Sequence, residues 1–435
     1  MSNQYYKITG GTKLTGSIST NGAKNSAVGL LAASLINKGT TVLHNMPKIE
    51  EVYRLIEVLN SLNVQTIWQD NTLTIIPPKT IAINNLDIDA ASKTRSIIMF
   101  IGCLIHHFSK FNLPSAGGCK LGKRTVKPHF FALEKFGINI KTTEKYYEIT
   151  HKKLNPANDI ILYEMGDTVT ENAIMAAALV PGKSIIKFAS ANYQIQELCL
   201  YLKLCGVQIT GIGTSTLIIN GVSSINKKIE YHIAEDPIES MLFISLAATT
   251  NSSLVIKRCP IDFLSLELLK LEKMNFKYEI IKHYKSKNGY TNLVDIKTYP
   301  SKLIALEEKI HPQPYPGLNI DNLPFFVPIA TQAKGQTLIH DWIYENRAIY
   351  YVELIRLGAD IMLADPHRVF INGPTPLKGT EIVAPPALRP SAIVLVAMIA
   401  AKGDSILRNT YGIERGYENL VERLQSIGVQ IQRVE

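Results

Sequence analysis

The residues best suited to covalent chemistry lie in one glycine-rich segment, FNLPSAGGCKLGKRTVKPHF, at residues 111–130. Cys119 follows two glycines and has cations close by in the sequence, among them Lys120 and Arg124. Neighbouring cations lower the pKa of a thiol and favour the thiolate at neutral pH, and glycines at this density make a mobile loop or lid. The segment therefore predicts a reactive cysteine. The other four cysteines lie in apolar segments, where a small core residue is the simpler interpretation: Cys103, Cys199, Cys205 and Cys259.

Three cations stand at the start of helical segments that are apolar on nearly every side: Lys24 in NGAKNSA, Arg95 in SKTRS and Arg389 in ALRPS. A cation at a helix N-terminus opposes the helix dipole, at a cost of a few tenths to ~1 kcal/mol, unless an anion lies beside it. Helix N-termini also bind anions directly. If the fold brings these helix starts to one surface, they form a site for phosphates or carboxylates. Glu171 and Asp236 hold similar positions, and helix capping is the simpler interpretation for both.

The elements that must position these residues recur six times along the chain. Each repeat ends a helix with Leu, two residues, an apolar residue or Cys, then Gly or Asn, and finally a small or apolar residue. This pattern is typical of the last turn of an amphipathic helix, a left-handed Gly or Asn, and a strand that begins at once. The six phrases are LNSLNV at Leu59, LEKFGI at Leu133, LKLCGV at Leu202, LEKMNF at Leu271, LIRLGA at Leu354 and LQSIGV at Leu424.

Each repeat also contains a helix with apolar residues on nearly every side. The six helical segments are AVGLLAASLI, SIIMFIGCLI, AIMAAALV, MLFISLAA, FFVPIATQA and AIVLVAMIAA. A helix that is apolar all round is buried all round. The repeats therefore predict an α/β protein of two domains, three repeats in each, in which strands and outer helices enclose the central helices. This arrangement has no doubly wound sheet.

Composition and charge exclude several classes of protein. The chain has 435 residues, of which 46% are apolar and 19% charged, as in ordinary globular proteins rather than disordered or collagen-like chains. The net charge of +9 comes from scattered Lys and Arg, which argues against a dedicated nucleic-acid binder and suits small anionic substrates. The apolar runs are shorter than the ~20 residues of a membrane span, so no membrane association is expected.

Location and metal content are also predicted from simple patterns. The N-terminal MSNQYYKITG lacks the layout of a signal peptide, and the five cysteines show no CxxC spacing. A cytoplasmic, reduced protein is therefore expected. The ten His residues show neither HExxH nor Cys-His spacing, so no metal is expected. The GKS at Gly182 lacks the preceding glycine of a P-loop, because residue 177 is Ala.

With these segments in order, the sequence resembles the bacterial UDP-N-acetylglucosamine 1-carboxyvinyltransferases, the enolpyruvyl transferases that open peptidoglycan synthesis. The resemblance spans essentially the whole chain. It is carried by NGAKNSA, the GGCKLGKR loop, YPGLNID, IYENR, LRPSA and IERGYE. The sister family, the shikimate-pathway enolpyruvyl transferases, shares the repeat fold but has a different Lys motif and no loop cysteine, and is the weaker match.

The resemblance implies a two-domain inside-out α/β barrel with three repeats per domain. One domain would span residues 24–233 with the Cys119 loop, and the other would combine residues 1–23 with 234–435, with a cleft between them. In the reaction, the sugar 3′-hydroxyl adds to C2 of phosphoenolpyruvate, and the tetrahedral adduct then expels phosphate. Both substrates are small molecules, and no cofactor is implied. The oligomeric state is left open.

The resemblance also implies which side chains hold the substrates. Lys24, Arg124 and Arg415 would grip phosphoenolpyruvate. Asp321 would be the base for the sugar hydroxyl, and Cys119 would donate the proton at C3 and be the site of covalent adducts. These roles suit the chemistry, since guanidinium groups match phosphate and carboxylate and a carboxylate accepts a proton from an alcohol. The implied substrate contacts are Lys24, Asn25, Arg95, Arg124, Asp321, Ile343, Arg347, Arg389 and Arg415.

Within this set the resemblance separates two sides of the site. Arg347 and Arg389 would lie at the same anionic centre as phosphoenolpyruvate. Arg95 would face the diphosphate of the nucleotide sugar, and Asn25 would contact the sugar. Catalysis itself is assigned to Cys119, Asp321, Lys24 and Arg415.

Several positions depart from the family pattern. Ala387 stands where the family usually has Asp, two residues before Arg389. The uridine-contacting Arg-Pro-Val-Asp reads RTVK at residues 124–127, SVGATEN becomes GDTVTEN from Gly166, and the acidic EPEI becomes NYQIQ from Asn192. Three hypotheses follow: a working transferase on UDP-N-acetylglucosamine, a catalytically weak paralogue with a binding or regulatory role, and a transferase that uses a different acceptor alcohol.

Overall fold

The six sequence repeats fold into six small sheets, each built in the same order. A computed structural model describes residues 4–115 and 125–434; Cys119 and Arg124 lie outside these ranges. In the first five repeats, a first strand is followed by a helix and two further strands, and the third strand pairs between the first and the second. The described residues divide into two units of packing. The first unit comprises residues 22–115 and 125–234, and the second comprises residues 4–21 and 235–434.

The first unit contains three repeats and their central helices. The repeats are Thr41–His44, helix Glu50–Ser61, Gln65–Gln69 and Thr72–Ile76; Lys110–Pro114, helix Lys127–Glu134, Ile138–Thr142 and Tyr146–His151; and Gly182–Lys187, helix Tyr193–Cys205, Gln208–Thr210 and Thr216–Gly221. The central helices are Lys24–Ala33, the 3-10 turn Arg95–Met99 continuing as Phe100–Leu104, and Asp167–Ala178. Short strands Ile160–Ile161 and Ile229–His232 add in parallel to the first strands of the third and first repeats.

The second unit repeats this plan. Its repeats are Val255–Pro260, helix Ser265–Lys273, Lys277–Lys285 and Asn292–Tyr299; Gly335–His340, 3-10 helix Ala348–Leu357, Asp360–Asp365 and Arg368–Gly373; and Gly403–Arg408, helix Leu420–Gln425, Gln430–Val434 and Tyr5–Gly10. Its central helices are Pro237–Thr249, the 3-10 turn Leu323–Phe325 continuing as Phe326–Ala330, and Leu388–Ala400. Strands Ser17–Ser19 and Glu381–Val383 add in parallel, and helix Tyr411–Glu414 precedes the last repeat helix.

The sixth sheet is completed by the beginning of the chain. Strand Tyr5–Gly10 pairs antiparallel with Gly403–Arg408 on one side and with Gln430–Val434 on the other, so that Ile8 lies opposite both Ser405 and Ile431. This strand takes the place of the third strand in the other repeats. Residues 5–10 are therefore part of the sixth repeat.

The central helices form the core of each unit, as the sequence predicts. Every residue of Pro237–Thr249 is buried, and in Leu388–Ala400 the buried stretch runs from Arg389 to Ile399. Burial of apolar side chains on all sides of these helices supplies the main driving force for each unit. Among the described residues, no helix combines the length and apolar character needed to cross a membrane.

The second central helix is shorter than its apolar sequence predicts. The side-chain amide of Asn172 lies between two backbone groups that a continuous α-helix would join. It accepts a hydrogen bond from the Gly102 N–H at 2.7 Å and donates to the Ile98 carbonyl at 2.9 Å. A Cβ at Gly102 would lie 2.5 Å from the Asn172 amide oxygen, which explains the glycine. A side chain inserted into the helical ladder interrupts it, and the segment begins as a 3-10 turn.

The left-handed residues predicted at the six repeat phrases are all present. Their φ angles are 66° at Asn63, 90° at Gly137, 104° at Gly206, 62° at Asn275, 95° at Gly358 and 95° at Gly428. In the last of these phrases, the Val429 N–H donates to the Leu424 carbonyl, closing the helix end. The prediction is therefore confirmed, and in each repeat a strand begins within two residues of the left-handed position.

Replacing Gly428 with Ala should lower the free energy of unfolding by about 1–2 kcal/mol, because an L-residue is strained in the left-handed region. An added Cβ at this position meets no described atom within 4 Å, so the backbone alone accounts for the cost. Urea unfolding followed by circular dichroism measures it. The matched variant Asn275→Gly, at the equivalent position of the fourth repeat, should change stability by only a few tenths of a kcal/mol. Equal effects of the two substitutions would contradict this account.

Candidate functional site

Lys24 begins the first central helix and is held by a carboxylate that the sequence analysis did not single out. Its Nζ lies 2.6 Å from Oε2 of Glu51, which belongs to the first turn of helix Glu50–Ser61. Glu51 also accepts a hydrogen bond from the Ser96 hydroxyl at 2.8 Å. Lys24 and Glu51 are both largely buried. The carboxylate offsets the unfavourable position of the cation at a helix N-terminus and fixes the direction of the ammonium group.

Asn25 is positioned from the third repeat. Its side-chain amide donates to the Tyr193 hydroxyl at 3.1 Å, and Tyr193 is the buried first residue of helix Tyr193–Cys205. Asn192 caps this helix by accepting the Tyr193 N–H at 2.9 Å. The contact ties the predicted sugar-binding residue to the segment NYQIQ, which is one of the departures from the family pattern.

Two of the departures are bonded to each other. Asp167 accepts a hydrogen bond from the Ser190 hydroxyl at 2.6 Å and another from the Asn192 amide at 3.1 Å. Asp167 belongs to the GDT sequence and Asn192 to NYQIQ. The altered segments therefore form one network of hydrogen bonds, in which Asp167 of the first segment accepts from Asn192 of the second and from the neighbouring Ser190.

Arg95 lies beside a histidine that the sequence analysis passed over. Its Nη2 donates to the Thr125 carbonyl at 3.3 Å. His129 is buried on helix Lys127–Glu134, and its Nδ1 accepts a hydrogen bond from the Asn172 amide at 3.1 Å. Burial, reinforced by the charge of Arg95, lowers the pKa of His129 to about 3. The imidazole is therefore neutral at physiological pH, with its proton on Nε2.

Asp321 lies between two arginines of the second unit. Its Oδ1 is 3.8 Å from Nη1 of Arg347, and its Oδ2 is 3.4 Å from Nη2 of Arg389. Arg389 also donates to the Tyr417 hydroxyl at 2.6 Å. Arg347 is only 1% exposed and donates to Asp341, a fully buried carboxylate at the end of strand Gly335–His340. The structure therefore brings together the three residues that the resemblance assigns to the sugar hydroxyl and the anionic centre.

The second unit also contains Arg415, Ile343 and Ala387, which the sequence analysis names as substrate contacts or as a departure from the family pattern. Arg415 follows helix Tyr411–Glu414 as its C-cap, is partly buried, and pairs with no carboxylate in the part of the chain that the structure describes. Ile343 is 37% exposed and precedes Arg347 by four residues. Ala387 is buried in a small apolar cluster with Tyr344, where the family usually has an acidic side chain.

The capping interpretation is correct for one acidic residue and wrong for the other. Asp236 caps helix Pro237–Thr249 by accepting the N–H groups of Ile238 and Glu239. Glu171 does not cap its helix, because that helix already begins at Asp167 and places Glu171 in its second turn. Glu171 is buried, and burial, followed by the charge of Asp167, raises its pKa well above the usual range. Within residues 4–115 and 125–434, no group of three His, Cys, Asp or Glu side chains could hold a metal ion.

Sequence comparison shows the family to which the chain belongs. The family model of EPSP synthase (3-phosphoshikimate 1-carboxyvinyltransferase) matches residues 8–424. A UDP-N-acetylglucosamine 1-carboxyvinyltransferase of Treponema denticola is 35% identical over 438 aligned residues, covering 99% of both chains. Proteins of the same name from Campylobacter lari, at 33% identity with 99% of both chains covered, and Bradyrhizobium diazoefficiens, at 32% with 99% of this chain and 98% of the relative covered, are also similar. The chain therefore belongs to the enolpyruvyl transferase family, and within it to the UDP-N-acetylglucosamine 1-carboxyvinyltransferases.

Solved structures show the same fold. The enolpyruvyl transferase NikO from Streptomyces tendae superposes with a TM-score of 0.85 at 21% identity, covering 99% of both chains. An EPSP synthase from Acinetobacter baumannii superposes with a TM-score of 0.76 at 18% identity, covering 99% of this chain and all of the other. The predicted fold class, an α/β protein of the enolpyruvyl transferase type with six repeats, is confirmed.

Replacing His129 with Gln should flatten the pH dependence of stability. Because the pKa of His129 is lower in the folded chain than its ordinary value of 6.5, the unfolded chain binds an extra proton below that pH, and stability falls as the pH falls. The wild-type chain should therefore lose roughly 2 kcal/mol more than His129→Gln between pH 7 and pH 5. Urea unfolding of both proteins at the two pH values measures the difference. Equal losses would mean that the pKa of His129 is the same in the folded and unfolded chains.

Proposed function

We propose that this chain transfers the enolpyruvyl group of phosphoenolpyruvate to the 3′-hydroxyl of UDP-N-acetylglucosamine, with release of phosphate. This is the first committed step of peptidoglycan synthesis. The observation that carries the proposal is the 30–35% identity, over 98–99% of the chain, to eight enzymes named for this transfer. The grouping of Asp321 with two arginines supports it independently, because a base for an alcohol and cations for an anionic partner lie at one place.

The reaction proceeds by addition and elimination. Asp321 removes the proton of the sugar hydroxyl as the oxygen bonds to C2 of phosphoenolpyruvate, and Cys119 donates a proton to C3. The resulting tetrahedral adduct loses a proton from C3 while the C2–O bond to phosphate breaks, which restores the double bond. The overall products are the enolpyruvyl ether and phosphate. The net exchange needs no oxidant, reductant or cofactor.

The cations of the site act on the phosphoenolpyruvate. Lys24, Arg124 and Arg415 bind its phosphate and carboxylate, and Arg347 and Arg389 add positive charge at the same centre. The ion pair with Glu51 supports the role of Lys24, because it holds the ammonium group in one orientation before the substrate arrives. Arg95 and Asn25 contact the nucleotide sugar, and Ile343 is a further substrate contact.

The same family assignment favours an active enzyme over a weak paralogue. Ala387 remains the residue that supports reduced activity, since it removes an acidic group beside Arg389. The network of Asp167, Ser190 and Asn192 is the specific observation in favour of a changed acceptor, because it rebuilds a segment that the family uses for the nucleotide. A working transferase on UDP-N-acetylglucosamine accounts for both Ala387 and the Asp167 network as local changes, because all the predicted cations are kept in the sequence.

We also propose domain boundaries at residues 24–233 and at 1–23 plus 234–435, and a cytoplasmic location. The division of packing at residues 21 and 234 supports the boundaries. Four free and buried thiols among the described residues support a reducing compartment. The expected cleft between the domains stays a prediction, and so does the oligomeric state.

Phosphate release from phosphoenolpyruvate tests the function directly. We expect release by the purified chain in the presence of UDP-N-acetylglucosamine and none without it, because the addition step needs the sugar hydroxyl. A coupled colorimetric phosphate assay measures the rate, and mass spectrometry identifies the enolpyruvyl ether. Release with a different alcohol would instead assign another acceptor, and no release with any acceptor would support the weak paralogue.

Cys119 should be the only cysteine labelled by an epoxide phosphonate, because the four described cysteines are buried thiols and burial raises the pKa of Cys103, Cys199, Cys205 and Cys259. Labelling should disappear in Cys119→Ala. The matched variant Cys205→Ala should be labelled like the wild-type chain. Peptide mapping by mass spectrometry identifies the modified residue, and a label that persists in Cys119→Ala would overturn the assignment.

A further inference from the structure

Asp341, a buried carboxylate with no assigned role, binds the Nε and Nη2 groups of Arg347. Asp341 is fully buried and accepts three hydrogen bonds: from Arg347 Nε at 2.5 Å, from Arg347 Nη2 at 2.9 Å and from the Tyr351 hydroxyl at 2.5 Å. Tyr351 is also buried, and burial raises its pKa far above the usual range, so the phenol keeps its proton and donates. Asp341, Arg347 and Tyr351 therefore form one closed unit of charge and hydrogen bonds.

This pairing uses most of the hydrogen-bonding capacity of Arg347. Its Nη2 group also donates to the Ile320 carbonyl at 2.8 Å, and the ring of Tyr344 lies 4.3 Å from the guanidinium carbon. The edge that would bind a carboxylate or phosphate in bidentate fashion is thus occupied by Asp341. The Nη1 group faces Asp321 at 3.8 Å, which is too long for a hydrogen bond but close enough for a strong electrostatic effect.

We propose that Asp341, supported by Tyr351, is a positioning residue for the proton transfer at Asp321. It fixes Arg347 in one orientation and offsets its charge, so that Arg347 holds Asp321 in place without stripping the carboxylate of its basicity. This inference rests on the proposed function, in which Asp321 accepts the proton of the acceptor hydroxyl.

The balance of charge around Asp321 explains why the offset matters. Two guanidinium groups within 4 Å of one carboxylate favour its ionised form and make it a weaker base. A base that is too weak removes an alcohol proton slowly. The negative charge of Asp341 offsets much of the effect of Arg347 on Asp321. Asp321 contacts Arg347 and Arg389. Arg347 is in turn contacted by Asp341 and Tyr344, Asp341 by Tyr351, and Arg389 by Tyr417.

Asp341→Asn tests the proposal, because it removes the charge and keeps the shape. With Arg347 uncompensated, the pKa of Asp321 should fall by about one unit. Carbon-13 NMR of aspartate-labelled protein measures this pKa without any substrate, and Asp321→Asn assigns the signal. In the phosphate-release assay, kcat should fall about 10- to 100-fold, the acidic limb of the pH profile should move to lower pH, and KM for both substrates should change less than threefold.

Three further variants separate positioning from a structural role. Asp341→Glu restores the charge and should return the pKa of Asp321 most of the way to the wild-type value. Tyr351→Phe removes one hydrogen bond but no charge, so it should lower kcat by a smaller factor in the same direction, and it remains informative if Asp341→Asn fails to fold. Asp365→Asn removes the carboxylate of an exposed ion pair with Arg368 in the same repeat and should leave both kcat and the pKa of Asp321 unchanged.

The outcomes distinguish this inference from the function it rests on. The positioning role would be overturned, whatever the substrate proves to be, if the pKa of Asp321 were unchanged in Asp341→Asn. It would also be overturned if kcat and the pH profile were unchanged in Tyr351→Phe. A shifted pKa together with no phosphate release by the wild-type chain would support the electrostatic coupling and overturn the proposed function. A loss of thermal stability with a normal pKa and normal kcat would show that Asp341 is structural only.

Discussion

The candidate site around Asp321 in the second unit depends on one buried ion pair, that between Arg347 and Asp341. A guanidinium group that is almost completely removed from water is stable only when a carboxylate and further hydrogen bonds replace its hydration. Asp341 and the Ile320 carbonyl meet that requirement, and Asp341 is in turn satisfied by Tyr351. These hydrogen bonds fix the orientation of the Arg347 side chain, so it does not reorient when an anion binds nearby. Its value to the site is a fixed charge at a fixed place, which is the form of electrostatic help that costs no reorganisation during a reaction.

The first unit solves the same problem in a milder form. Lys24 and Glu51 meet where two helices begin, so the cation opposes one helix dipole while the carboxylate complements the other. Both units therefore contain a candidate site cation that is paired with a carboxylate of the same unit, Lys24 with Glu51 and Arg347 with Asp341. Each pairing lowers the free-energy cost of burying the cation.

The sequence predicts the repeats well because periodicity and left-handed glycine or asparagine are local properties, and all six helix-ending phrases have the expected backbone. It also singles out Lys24, Arg95 and Arg389 as candidate site cations, since a cation at a helix start is unfavourable without a nearby anion. It does not predict the partners. No sequence pattern distinguishes Glu51, Asp341 and Tyr351 from other acids and tyrosines. Their contacts with Lys24 and Arg347 are visible only in the folded chain. The capping prediction for Glu171 is wrong for a related reason. The helix begins four residues earlier, at Asp167, so Glu171 lies inside the helix and is buried. The shortened second central helix is caused by Asn172, a residue from another repeat, so no local signal could have shown it.

The strand Tyr5–Gly10 has a consequence for how the protein is made. It lies between strands Gly403–Arg408 and Gln430–Val434, so this segment is synthesised long before the two strands with which it pairs. The first unit has no such delay, because its three sheets are complete once residue 234 has emerged. The order of synthesis therefore allows the first unit to fold during translation, while strand Tyr5–Gly10 stays unpaired until residues 403–434 have been made.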